Sequence, residues 1–227
     1  EFSGFAAQIE QGIERLKSTY LRLEELALGG TAVGTGLNTH PHFAQRVIEG
    51  ISEEGGIAFR PAKNRFEAIA CRDAQLELMG MLATIASSLS KIANDLRLLS
   101  SGPRAGLGEI SLPSLQPGSS IMPGKVNPVI PEMMIQVAAH IQGKYSSVTI
   151  ASGTGPLELN MMNPLIAHET LSSLDLLTES SLAFADRCIR GIEADRERCR
   201  YWIDWSLALV TPLAVEIGYD EAAKLAY

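Results

Sequence analysis

The run Gly118-Ser119-Ser120-Ile121-Met122-Pro123-Gly124-Lys125-Val126-Asn127-Pro128 gathers paired hydroxyls, a cation and an amide into one glycine-bounded loop. Glycine reaches backbone conformations that other residues avoid, so such a loop can close its N–H groups around a ligand. Lys125 and Asn127 supply a charge and a directional hydrogen bond suited to a carboxylate or a phosphate. Ser119 and Ser120 are candidates for proton transfer or ligand contact. On residue types alone the loop reads as a site for a small anion. A glycine-rich connector, with Ser119 capping a turn, is the competing reading. The phosphate-binding loop of nucleotide-binding proteins does not fit. That pattern has four residues between its glycines and Ser or Thr directly after its lysine. Here five residues separate Gly118 from Gly124, and Val126 follows Lys125.

Asn127 and Pro128 have the cap and first-position chemistry of a helix start. A helix beginning there brings unpaired N–H groups and its positive dipole end close to Lys125. Such a setting suits a dicarboxylate, and also the doubly charged aci-carboxylate that forms when a proton leaves the carbon beside a carboxylate. Elimination across that bond needs a base on one side and an acid on the other. Fixed dipoles and cations can hold the negative charge, so neither a metal nor a cofactor is expected. Glu132, about one turn into the helix, is an acid favoured by the helix dipole. His40 and His42 lack a recognised metal-ligand spacing, and His140 and His168 fall in helical patterns as structural residues.

The elements that must carry this loop are helical. Phe2, Phe5, Ile9, Ile13, Leu16, Tyr20 and Leu23 recur at three- and four-residue intervals, and the Gly29–Gly36 stretch ends that pattern. From Asp73 to about Ser100 there is no proline, and Leu76, Met79, Leu82, Ile85, Ala86, Leu89, Ala93 and Leu96 form one stripe. A helix of that length, roughly 40 Å at 1.5 Å per residue, needs partners along it and predicts a helical bundle. Residues 101–127 read as an extended irregular loop. Helices are predicted from Pro128 towards Ile150 and from about Leu157 to Ile189, the latter kinked at Pro164, with shorter ones from Asp195 and Asp220. No alternating strand pattern is evident. The expected class is all-α.

The 227 residues suffice for one large domain or part of a bigger one. A net charge of −7 argues against a nucleic-acid partner, which needs excess Lys and Arg, and leaves any anionic substrate to local positive groups. Cys71, Cys188 and Cys199 are widely spaced, and are expected to be reduced and buried. No signal-peptide pattern and no uninterrupted apolar run of membrane-spanning length is found, so a soluble protein without a membrane partner is expected. Both ends fall inside helical patterns, at Glu1 and at Tyr227, and read as cut.

The signature loop resembles that of the fumarase/aspartase superfamily, Gly-Ser-Ser-x-Met-Pro-x-Lys-x-Asn-Pro. Gly29-Gly30-Thr31-Ala32-Val33-Gly34-Thr35-Gly36-Leu37-Asn38 is similar to a second block of those enzymes. Lys91–Arg97, Ser101–Leu107, Glu158-Leu159-Asn160 and Ile217–Asp220 resemble further blocks in the same order. The resemblance, which runs the length of the chain and is strongest to class II fumarases, implies long central helices over about 1–190 and the start of a small C-terminal helical domain over 191–227. It implies a homotetramer with active sites shared between subunits, and a cytoplasmic location, or a mitochondrial one in a eukaryote. By resemblance Ser119 is the general base at Cβ, while Lys125 and Asn127 hold a substrate carboxylate with Ser120 beside them. Glu132 pairs with a histidine of a Thr-His block that precedes Glu1 in the family. Thr35 and Asn38 line a loop near a neighbouring subunit's site. The implied reaction is reversible hydration of fumarate to malate.

Departures also point elsewhere. Pro128-Val129-Ile130-Pro131-Glu132 looks like aspartase as well as some fumarases, making aspartate ammonia-lyase the alternative. Ser152-Gly153-Thr154-Gly155-Pro156 replaces the usual Gly-Ser-Gln-Gly-Asn of fumarases, and Asn163 replaces a frequent lysine. A non-catalytic helical oligomerisation module is the reading from another class. The chain reads as an internal fragment, expected to be inactive in isolation.

Overall fold

In the computed structural model, which describes residues 1–226, the proline-free stretch forms helix α5, Asp73–Leu99. Its stripe residues Met79, Leu82, Ala86, Ala93 and Leu96 are almost wholly inaccessible. This helix is long and apolar enough to cross a membrane by length and composition, but its apolar stripe is buried within protein. Two further long helices follow, α6 (Val129–Ser152) and α7 (Asn163–Arg187). The fold is predominantly α-helical, as the periodicity predicts.

The chain divides into two compact units, one of residues 1–92 and 133–181, the other of 93–132 and 182–227. In the first unit, helix α1 (Phe2–Lys17) stops short of the predicted end at Leu23. The hydroxyls of Ser18 and Thr19 turn back onto the carbonyls of Arg15 and Leu16, competing with the helix ladder. A single turn, α2 (Tyr20–Leu23), follows. α1 lies against α5 at Gly12, where a Cβ would come within 3.0 Å of Ile85. The Gln142 amide of α6 donates to the Ala83 carbonyl and to Ser87 Oγ of α5, at 2.9 and 2.7 Å. Lys144 of α6 pairs with Glu169 of α7 at 3.0 Å and also donates to Ser172. Pairing leaves neither ion uncompensated in this nearly dry setting.

Pro164 does not kink α7. The helix starts six residues later than predicted, at Asn163, so Pro164 falls in its first turn, where a missing N–H breaks no helical bond. Leu157 has φ +50° and cannot be helical there. The connection is held instead by Asn160, which is buried. Its Nδ2 donates to the carbonyls of Ala151 and Ser152, and its Oδ1 accepts the Met162 N–H.

Four strands of two residues each escaped sequence reading, because so short a strand has no alternation to show. β1 (Glu25–Leu26) pairs parallel with β2 (Arg60–Pro61) in the first unit. β3 (Ile110–Ser111) pairs antiparallel with β4 (Glu193–Ala194) in the second. Between the first pair lie α3 (Phe43–Gly55), and beyond them α4 (Arg65–Ala70), capped by the Asn64 carboxamide oxygen. The second unit ends in α8 (Arg196–Asp204), α9 (Val210–Ile217) and α10 (Tyr219–Leu225). Asp195 caps α8 through the Arg198 N–H, at the start predicted. Arg198 and Trp202, one turn apart on α8, both donate to the Leu107 carbonyl, at 2.9 and 2.7 Å, and Arg198 also reaches Gly106. That clamp fixes the 101–108 segment.

Of the cysteines, only Cys188 is fully buried, whereas Cys71 and Cys199 are half-buried; all three are free thiols.

Candidate active site

The signature loop is closed at its neck by two hydrogen bonds. The Gly118 N–H donates to the Lys125 carbonyl at 2.8 Å, and Asn127 Nδ2 donates to the Gly118 carbonyl at 3.2 Å. A Cβ on residue 118 would lie 2.7 Å from the Lys125 carbonyl oxygen and 3.0 Å from the Asn127 nitrogen, so the crossing requires glycine. At the tip, Gly124 takes φ +77° and the Lys125 N–H closes a turn onto the Met122 carbonyl.

Inside this closed loop the Ser119 hydroxyl oxygen accepts two backbone N–H groups, from Ile121 and Met122, both at 3.2 Å. The same arrangement caps a turn and stabilises negative charge on that oxygen. This is the turn-capping geometry of the connector reading, and it is also compatible with the catalytic one. Ser119 and Asn127 are half-buried, Ser120 and Lys125 exposed. Lys125 makes no ion pair among the described residues, although the chain carries a net charge of −7.

α6 leaves the loop at once. The Val129 N–H donates to the Asn127 carbonyl at 2.9 Å, and the Glu132 N–H to the Pro128 carbonyl at 3.1 Å. The Asn127 side chain, expected to cap this helix, closes the loop neck instead. Glu132 is half-buried in the first helical turn. Behind the loop a crevice of about 10 Å³, lined by Leu112, Pro113, Pro128, Pro131 and Cys188 among others, has room for about one water at most.

Ser119, Ser120, Lys125, Asn127 and Glu132 thus fall together in the second unit, whereas Thr35 and Asn38 belong to the first. Their block is tightly wound: the Gly34 and Gly36 N–H groups both donate to the Gly30 carbonyl, at 2.9 and 3.1 Å. Thr31 and Asn38 adopt φ of +58° and +63°, which costs energy in residues with a Cβ and accumulates at functional loops. Thr35 Oγ1 accepts the Leu37 N–H at 3.3 Å, and both Thr35 and Asn38 are exposed. The block is held from below by α4. A Cβ at Gly30 would lie 2.6 Å from Ile69, and one at Gly34 would lie 2.8 Å from the Phe66 nitrogen. Of the four histidines, His40, His42, His140 and His168 are all exposed, and His40 Nδ1 accepts the His42 N–H. Sequence reasoning named Asn160 only within a block of resemblance, without its supporting role, and missed Arg198 and Trp202. The Arg-x-x-x-Trp spacing after an Asp cap was the available signal for the last two.

A family model described as a lyase matches residues 1–143. A class II fumarate hydratase of Mesorhizobium japonicum is 51% identical over 226 residues, covering 100% of this chain and 49% of that protein. The mitochondrial fumarate hydratase of Danio rerio is 50% identical, over 100% of this chain and 44% of its own length. Among solved structures, the class II fumarase of Schistosoma mansoni superposes with a TM-score of 0.96 at 41% identity, covering 99% of this chain and 50% of that one. A fumarate lyase:delta crystallin of Brucella melitensis gives 0.94 at 47% identity, over 100% and 49%. The chain spans about half the length of the relatives it matches. With the lyase model matching residues 1–143, well over half of its length, the chain belongs to the lyase family.

Proposed function

We propose that the protein containing this chain is a fumarate hydratase, interconverting fumarate and malate by reversible addition of water. The observation that carries the reading is the Ser119 oxygen held by two backbone N–H groups, in a loop whose Lys125 makes no ion pair among the described residues. A serine alkoxide is a costly base, and the Ile121 and Met122 amides lower that cost by donating to the oxygen that bears the charge. In the malate-to-fumarate direction Ser119 Oγ removes a Cβ proton. The resulting aci-carboxylate sits against Lys125, Asn127 and Ser120, each charge-assisted hydrogen bond contributing about 1.5–3 kcal/mol. Water departs from the opposite side, assisted by an acid that Glu132 orients through the histidine of the segment preceding Glu1 in the family. Thr35 and Asn38 complete the site in an assembled homotetramer.

The relatives' names support hydration, since they are fumarate hydratases. They come from both bacterial and mitochondrial settings, and a cytoplasmic location, or a mitochondrial one in a eukaryote, follows the same division. Residues 1–190 and 191–227 are the corresponding parts of the central and C-terminal domains. Aspartate ammonia-lyase is the second reading, favoured by the sequence of the Pro128–Glu132 run. The test is fumarate absorbance loss by the full-length protein, first without and then with ammonia. Loss without ammonia is expected. Loss only with ammonia transfers the assignment to the ammonia-lyase, and loss under neither condition refutes both.

A further inference from the structure

We propose that Asn127 is a positioning residue for Ser119, acting through the carbonyl of Gly118 rather than only through a ligand. The inference rests on the reading of Ser119 as the proton acceptor. The carbonyl that accepts Asn127 Nδ2–H at 3.2 Å belongs to the peptide linking Gly118 to Ser119. The other polar group of Gly118, its N–H, is held by the Lys125 carbonyl at 2.8 Å. Both faces of the residue preceding the base are therefore pinned by the returning arm of the loop.

That arm is itself anchored. The Asn127 carbonyl accepts the Val129 N–H at 2.9 Å, where α6 begins. A continuous path runs from the helix start through the Asn127 side chain and the Gly118 carbonyl to Ser119. The remaining hydrogen bonds of the loop, from Ile121 and Met122 to Ser119 and from Lys125 to Met122, are internal to the tip. They shape the tip without fixing it to the helix. The neck also has no slack, since a Cβ at residue 118 would lie 2.7 Å from the Lys125 carbonyl oxygen. Both an opened latch and a crowded neck move the Ser119 oxygen, and a displacement of order 1 Å at a reacting atom costs about 100-fold in rate.

Three variants of the full-length protein test this, with amide exchange of residues 118–125 measured without substrate and steady-state kinetics beside it. Asn127→Ala removes the latch. Asn127→Asp keeps the size but, when ionised, accepts instead of donating. Gly118→Ala crowds the neck at the Lys125 carbonyl and the Asn127 backbone nitrogen while leaving the Asn127 side chain in place. Expected are faster exchange in all three and a fall in kcat of about 100-fold. Gly118→Ala is expected to leave KM within a few-fold of the parent, while the thermal midpoint of each variant stays close to it. Exchange unchanged in both Asn127 variants, with KM alone raised, would overturn the proposal and leave Asn127 a substrate ligand only. Faster exchange with turnover retained would instead remove Ser119 as the base, sinking the underlying reading although the latch is real.

Discussion

Replacing Lys125 by methionine separates substrate recognition from folding. The ammonium is exposed and makes no ion pair among the described residues, so its removal breaks nothing that holds the chain together. Surface substitutions of that kind change stability by about 0.5 kcal/mol at most. On the proposed function, what is lost is one charge-assisted hydrogen bond to a substrate carboxylate, about 1.5–3 kcal/mol, which corresponds to roughly 10- to 150-fold in kcat/KM. Part of the interaction is screened by salt, because the site is open to solvent. The parent's kcat/KM for fumarate should therefore fall with ionic strength, and that of Lys125→Met much less. Arginine at the same position keeps the charge but widens the donor, so it is expected to recover only part of the loss. The assay is fumarate absorbance at two salt concentrations, with thermal unfolding of each variant alongside. A kcat/KM within about three-fold of the parent, with the salt dependence intact, would refute the assignment of Lys125 to the substrate carboxylate.

Other expectations follow from the packing. Lys144 and Glu169 are only 11% and 18% exposed and pair at 3.0 Å. Lys144→Met should destabilise the protein by about 3 kcal/mol in denaturant titration, and adding Glu169→Leu should restore most of it; a single variant as stable as the parent would contradict this. Burial pushes the Cys188 thiol up from 9.0 to about 11. The folded state therefore prefers the neutral thiol, and this contribution to stability is complete below pH 9 and lost as pH rises towards 11. A chromogenic disulfide at pH 8 should modify half-buried Cys71 and Cys199 first and Cys188 only on unfolding. Three equal rates under native conditions would show that Cys188 is not shielded.

The signature loop was legible in the sequence because its residues are contiguous: Gly118 to Pro128 carries neck, hydroxyls, cation and helix start in order. α5 was legible for a similar reason, since an uninterrupted apolar stripe with no proline admits one conformation. Two kinds of information were not contiguous. Pro164 is compatible with a kink or with a helix start, and the choice was made by Leu157 and the buried Asn160, whose partners lie at the end of α6. The role of the Asn127 side chain was likewise hidden, because a cap and a loop latch need the same residue type. Its partner, the Gly118 carbonyl, is a backbone group that sequence does not display. The four short strands and the Arg198–Trp202 clamp also depend on distant backbone carbonyls and amides, and so left no periodic trace.

The central claim is that the Ser119 oxygen takes a proton from Cβ, and malate in deuterated water tests it without requiring net turnover. The full-length protein is incubated with malate, and deuterium at Cβ is followed by NMR for the parent and for Ser119→Ala. Expected is incorporation at one of the two Cβ positions by the parent and a loss of at least about 100-fold in Ser119→Ala, with an unchanged unfolding transition. Incorporation by Ser119→Ala at the parental rate would contradict the account and assign the loop to binding alone.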